Sequence, residues 1–120
     1  MRKVDVVVIG AGAAGLMCAI AAGKRGRSVI VLDKAAKVAE KVRISGGGRC
    51  NFTNLYVSPE NYISNNKHFC KSALAGFNQW DFIDWVNEAE ISYHEREHGQ
   101  LFCDESAKDI IKMLLDKCDG

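Results

Sequence analysis

The sequence predicts an α/β fold built on a parallel βαβ unit, and three observations carry that prediction. A β-branched run (Val4, Val6, Val7, Val8, Ile9) leads into the turn Gly10-Ala11-Gly12-Ala13-Ala14-Gly15. An alanine-rich segment follows the glycines as far as Arg25, and a second β-branched run, Ser28 to Leu32, ends in Asp33. Glycines in the pattern Gly-x-Gly-x-x-Gly between a strand and a helix, with an acid 18 residues after Gly15, mark a Rossmann-like dinucleotide-binding unit.

The elements follow in order. The first strand starts at the fifth or sixth residue and stops at Gly10, which permits the tight turn out of it. Gly12 lacks a Cβ, so a phosphate can approach the backbone, and Gly15 lets the helix lie close on the sheet. The helix, Leu16 to Arg25, offers an anion the free N–H groups of its first turn and the positive end of its dipole. Asp33, after the second strand, can accept from two ribose hydroxyls, and its charge would repel a 2′-phosphate. Lys34 to Ile44, rich in lysine and arginine, is a loop or a short helix.

Ser45-Gly46-Gly47-Gly48-Arg49-Cys50-Asn51-Phe52-Thr53-Asn54 breaks regular structure, because three consecutive glycines forfeit too much backbone entropy. Tyr56 to His68 is polar, holds the only proline, Pro59, and reads as surface loop with one helical turn. Asn78, with Asp81 three residues on, caps a helix that places Phe82, Trp85 and Val86 on one face. Ile91 to Cys103 alternates as a hairpin turning near Gly99. Ser106-Ala107-Lys108-Asp109 resembles a capping box and opens a last helix, where Ile110, Ile111, Leu114, Leu115 and Cys118 recur at helical spacing.

At 120 residues the chain fits one small domain with a real core, and it is small for a two-substrate redox enzyme. A net charge of +1 and the lack of a basic run argue against an electrostatic nucleic-acid or membrane surface. Asp5, Lys24, Arg25 and Arg27 interrupt the early apolar stretches, so neither a membrane span nor a secretory signal fits. Five widely spaced cysteines without a Cys-x-x-Cys pair read as free thiols in a reducing cytoplasm, with Cys18 and Cys118 as small core residues.

Three further constellations carry chemistry. Backbone N–H groups of the second glycine loop form an anion nest to which Arg49 adds a fixed charge; the bland alternative is a surface loop with Asx turns. Following a dinucleotide unit, the loop favours the functional reading. Cys50 lies beside Arg49, where positive charge would lower a thiol pKa, yet without a partner cysteine nearby a loop-supporting role is favoured. His94-Glu95-Arg96-Glu97-His98 matches a zinc-protease spacing but lacks an apolar helical stripe and a third ligand in register. It reads as a charged strand edge, and no metal is expected.

Taken together, Gly10 to Gly15 and Ser45 to Asn54 resemble the signatures of the bacterial BaiN-type (YhiN-like) FAD-dependent oxidoreductases. Gly99-Gln100-Leu101-Phe102-Cys103 and Ser106-Ala107-Lys108-Asp109-Ile110 resemble later segments of the same family. The resemblance implies that Gly10, Gly12, Ala13, Ala14 and Gly15 hold the FAD pyrophosphate and Asp33 the adenosine ribose. It places Lys34 and Lys41 near the phosphates, and Gly47, Gly48, Arg49, Cys50 and Asn51 along the flavin. Two positions depart from the family: Ala39-Glu40-Lys41 stands for its usual Gly-Arg-Lys, and Cys103 stands where relatives often have proline.

The resemblance also implies a much longer flavoprotein. Residues 1–120 are then the N-terminal part of the FAD domain, with a substrate domain and the rest of the FAD domain absent. The implied activity passes a hydride from NAD(P)H through FAD to a small organic substrate with a reducible double bond. No side chain here is a convincing acid or base, so no catalytic residue is named. Alone, the fragment is expected to be inactive, to bind FAD weakly, and to form homo-oligomers through exposed apolar surface. An NAD-dependent dehydrogenase fragment and a non-catalytic, self-associating fragment stay open as alternatives.

Overall fold

The computed structural model describes residues 3–34 and 38–119. It divides into two compact units, Met1–Cys50 with Ser106–Gly120, and Asn51–Glu105.

The first unit is the expected α/β element. Strand β1 (Val6–Ile9) pairs in parallel with β2 (Val29–Leu32), Val6 opposite Val29 and Ile9 opposite Leu32. A reciprocal brace sets this register: Asp5 N–H donates to Ser28 Oγ at 2.9 Å, and Ser28 N–H donates to Asp5 Oδ2 at 3.0 Å. Between the strands runs α1 (Ala13–Lys24), which starts three residues earlier than the sequence suggests because Gly12 takes the extended cap conformation. It ends in a Schellman turn in which Gly26, at φ +76°, donates to Gly23 and Arg27 donates to Ala22.

After β2 come α2 (Glu40–Ile44) and a 3-10 turn, Ser45–Gly48. The Lys34–Ile44 stretch is therefore part helix, while residues 35–37 lie outside the described residues. A final helix, α5 (Lys108–Asp119), opens with Ser106 Oγ accepting from Lys108 N–H at 3.1 Å and packs on α1. Val8, Leu16, Ala19 and Ile20 form the core with Ala107, Ile110, Met113 and Leu114.

Period-two alternation places Val7, Ile9 and Leu32 on the other face of the sheet, 52%, 79% and 52% exposed. Cys18 and Cys118, read from sequence as core, are exposed. Cys18 falls off the stripe formed by Leu16, Ala19 and Ile20, and Cys118 lies on the α5 stripe but at its last turn.

The second unit carries an antiparallel sheet in the order β3 (Asn51–Asn54), β5 (Gln100–Cys103), β4 (Tyr93–Glu95). The hairpin β4–β5 turns through Glu97–Gly99, as the alternation predicts. Gly99 sits at φ +77°, and a Cβ there would come within 2.6 Å of the Tyr56 ring. Strand β3 corrects the expectation of an unbroken irregular loop: Phe52 and Thr53 are good strand formers, and the edge of β5 supplies the missing partner.

Pro59–Asn61 forms the single helical turn expected in the polar loop. The short helix α3 (Lys71–Gly76) is not visible in the hydrophobic pattern. Helix α4 (Gln79–Glu88) starts with the predicted capping box, Asn78 Oδ1 accepting from Asp81 N–H at 3.0 Å and Asp81 Oδ2 from Asn78 N–H at 2.9 Å. Its Ile83 and Val86 are buried, as are Leu101, Phe102 and Cys103 of β5. Half-buried Phe52, Phe77, Phe82, Trp85 and Tyr93 interlock around them at ring separations of 4.8–6.4 Å. Among the described residues no helix is long and apolar enough to cross a membrane.

Candidate functional site

The chain leaves β1 through Gly10, whose N–H still donates to Leu32 at 2.6 Å and whose φ of +103° turns the backbone toward α1. An ideal Cβ on Gly15 would lie 1.9 Å from the Gly10 carbonyl oxygen and 3.3 Å from Val8 Cγ1. Helix and loop thus meet with only a glycine's width between them. At Gly12 the same construction meets nothing within 4 Å. No side chain caps α1, and Gly12, Ala13 and Ala14 are exposed. The first-turn N–H groups are free of a cap and lie where the dipole is positive, an arrangement that fits a pyrophosphate.

Asp33 meets this loop directly. Its Oδ2 accepts from Ala11 N–H at 2.7 Å, so the exposed carboxylate lies within one hydrogen bond of the glycine turn. The structure brings together the two features the sequence pairs only by spacing. Lys34 follows it, also exposed.

Residues 39–50 are tied to the same unit at both ends. Ala39 is buried, adopts φ +55°, and donates its N–H to the Ala11 carbonyl at 2.8 Å. Glu40, an acid where the family usually has arginine, is held by Arg43: Nε donates to Oε2 at 3.0 Å and Nη2 donates to Oε1. Lys41 is exposed on the same short helix.

Gly46, Gly47 and Gly48 all take positive φ, closed by Arg49 N–H on Gly46 and Cys50 N–H on Ser45. The Gly48 carbonyl accepts from Ala107 N–H at 2.7 Å, fixing this loop to the start of α5. Arg49 is exposed. Cys50 is buried at φ +55°, and burial pushes its thiol pKa up despite the Ser45 hydrogen bond. That direction is the opposite of what an activated thiol needs and suits the loop-supporting role. Asn51, at the start of β3, donates its amide to Leu101 at 3.2 Å and to Thr53 at 3.0 Å, holding the edge of its own sheet.

The His94–His98 spacing is not helical. His94 lies on β4 and His98 in a turn at φ +58°. His94 Nδ1 meets Asp104 Oδ1 at 2.6 Å, Arg96 Nε donates to His94 Nε2 at 3.1 Å, and the Arg96 guanidinium lies 3.8 Å over the Phe102 ring. Both ring nitrogens are engaged by side chains flanking the sheet. Among the described residues no group of three His, Cys, Asp or Glu could hold a metal.

A parallel βαβ unit with a glycine-tight helix crossing, a helix start uncapped by any side chain and an acid bonded to the turn defines a dinucleotide-binding Rossmann domain. The family described as HI0933-like protein Rossmann domain matches residues 4–120, and the chain belongs to it.

It is 57% identical over 119 residues to an Escherichia coli protein named ribosomal RNA dihydrouridine synthase, covering 99% of this chain and 30% of that protein. A Haemophilus influenzae protein of the same name is 57% identical over 113 residues, covering 94% and 28%. A Clostridium scindens 3-dehydro-bile acid delta(4,6)-reductase is 29% identical over 80 residues, covering 65% and 20%. The chain is thus an FAD-binding Rossmann domain of an oxidoreductase family, and it spans less than a third of the length of these curated relatives.

Proposed function

We propose that the chain is the FAD-holding part of an enzyme that adds hydrogen across the C5–C6 double bond of a uridine in ribosomal RNA. The observation that carries this reading is the 57% identity over 119 residues to proteins named for that product, in a chain whose glycine turn and Asp33 fit a dinucleotide. FAD, when bound, supplies the hydride transfer that side chains cannot perform.

The chain's own residues bind and orient. N–H groups of Ala13, Ala14 and Gly15 take the pyrophosphate, Gly12 leaves the approach open, and Asp33 takes the ribose hydroxyls. Lys34 and Lys41 balance the phosphate charge, while Gly47, Gly48, Arg49 and Cys50 line the flavin. Saturating the uridine ring consumes a hydride and a proton, so a two-electron donor is required, for which we assign NAD(P)H. A reducing cytoplasm suits the five free thiols. A small organic alkene is the second reading, supported by the bile-acid reductase relative.

The test replaces the matched residues of the Escherichia coli synthase with this chain and measures dihydrouridine in ribosomal RNA by nucleoside mass spectrometry. The chimaera should restore the product, and the same chimaera with Gly12→Val should not. A folded, flavin-loaded chimaera that makes no dihydrouridine would overturn the substrate. Absorbance between about 350 and 500 nm, where oxidised flavin absorbs, reports cofactor binding separately.

A further inference from the structure

Between Glu60 and Asp81 the sequence holds no acidic residue. The stretch instead carries Lys67, His68 and Lys71 among Tyr62, Phe69, Phe77 and Trp80, with several asparagines. The net charge of +1, which argues against a nucleic-acid surface for the chain as a whole, averages over this local bias.

Within the second unit, Tyr62, Lys67, His68 and Lys71 line a cleft of about 320 Å³ together with Pro59 and Glu60. Phe69 meets Tyr62 edge to face at 6.4 Å, yet the two rings remain 55% and 42% exposed. That is a large apolar and aromatic area to leave in water. Among the described residues neither Lys67 nor Lys71 forms an ion pair. Glu60 is the one acid in the cleft, and its Oε2 accepts from Ser58 Oγ at 2.6 Å. The backbone is shaped locally, by Asn66 N–H on Ser64 Oγ at 3.2 Å and His68 N–H on Asn66 Oδ1 at 3.0 Å.

Unpaired ammonium groups beside exposed aromatic rings match what single-stranded nucleic acid offers, phosphates at regular spacing and bases with π faces. Double-helical RNA hides its bases and offers no ring to stack. Resting on the ribosomal-RNA reading above, we propose that this cleft seats a single-stranded RNA segment, with Lys67 and Lys71 on phosphates and a base against the Tyr62–Phe69 pair.

The test is fluorescence anisotropy of the protein with a labelled, uridine-rich single-stranded RNA of about twelve nucleotides, a length suited to single-strand sites, at several salt concentrations. Lys67→Ala with Lys71→Ala should weaken binding at least about tenfold and lower the salt slope by about 1.4, the share of two phosphate contacts. Phe69→Ala should weaken binding about tenfold with the slope unchanged, since stacking releases no counterions. Lys67→Arg with Lys71→Arg should bind as the unaltered protein does, which separates lost charge from misfolding. Unchanged affinity in the alanine variants of a protein that binds the RNA would overturn this cleft and leave the ribosomal-RNA reading standing. Failure of the unaltered protein to bind, or equal displacement by polyglutamate, would overturn the cleft; in the first case lack of product from the chimaera would overturn the reading too.

Discussion

Gly15→Ala is the most demanding test of the dinucleotide turn, because one methyl group sets two effects against each other. Alanine in a helix interior is favoured over glycine by about 1 kcal/mol. Against that, the new Cβ would stand 1.9 Å from the Gly10 carbonyl oxygen and 3.0 Å from its carbon. The obstacle is backbone, so relief requires the helix or the turn to move by more than an ångström. Overpacking costs typically about 1–3 kcal/mol, and a rigid obstacle puts this case at the upper end.

The net expectation is a loss of about 2 kcal/mol, a fall in Tm of roughly 8 °C for a chain of this size. Gly12→Val is the matched control. Its Cβ meets nothing within 4 Å, and its φ of −84° suits any residue. It should cost under about 1 kcal/mol of stability while removing FAD binding by filling the phosphate approach. Thermal unfolding followed by circular dichroism, with FAD titration of each variant, reads both quantities. A Gly15→Ala protein melting within 2 °C (roughly 0.5 kcal/mol) of the unaltered chain would show that helix and turn have room to spare.

Further outcomes are expected. Asp33→Asn should keep the Ala11 hydrogen bond but weaken it, costing about 1 kcal/mol, and should relax discrimination against NADP in competition with NAD; unchanged selectivity in titrations would remove Asp33 from the ribose. Disulfide-exchange reagents should label Cys18 and Cys118 at once, and Cys50, Cys70 and Cys103 only on unfolding. Burial raises the Cys50 pKa, so the fold favours its protonated form. The stability linked to that thiol is complete below its ordinary range near about 8.5 and declines as pH rises toward the raised value; Cys50→Ala should flatten the decline in alkaline denaturation curves. Exposed Val7, Ile9 and Leu32 should drive association of the isolated chain, and Ile9→Thr should shift sedimentation toward the 13.2 kDa monomer.

Local chemistry made much of this molecule legible in advance. Strand, glycine turn and helix are written in adjacent residues, and so is the Asn78–Asp81 box, because each bond closes within a few positions. What sequence missed depends on distant partners. Asn51–Asn54 is a strand only because β5 lies beside it, and the hydrogen bond from Ala11 to Asp33 spans 22 positions. Glu40 stands in sequence only as a departure from the family's usual arginine, and its partner Arg43, one turn along, is set by the helix that forms there. Cys118 misled because hydrophobic periodicity identifies a helical stripe without saying how far its cover extends, and Cys18 because α1 carries small apolar residues on its exposed faces as well as its buried one.

The interruption of the first unit by the second has a consequence for biogenesis. The residues that cover Leu16 and Ile20 lie in α5, and Cys118 reaches the Leu16 carbonyl at 3.9 Å across 102 positions. On a ribosome adding about 5–20 residues per second, the insert Asn51–Glu105 delays α5 by roughly 3–11 s after the glycine loops are made. During that interval β1, α1 and β2 hold an open apolar flank, while the inserted unit already has its own sheet and helices to close upon. Synthesis order thus hands the nascent βαβ element to whatever binds exposed aliphatic surface near the exit tunnel, and slow codons within the insert would lengthen the exposure.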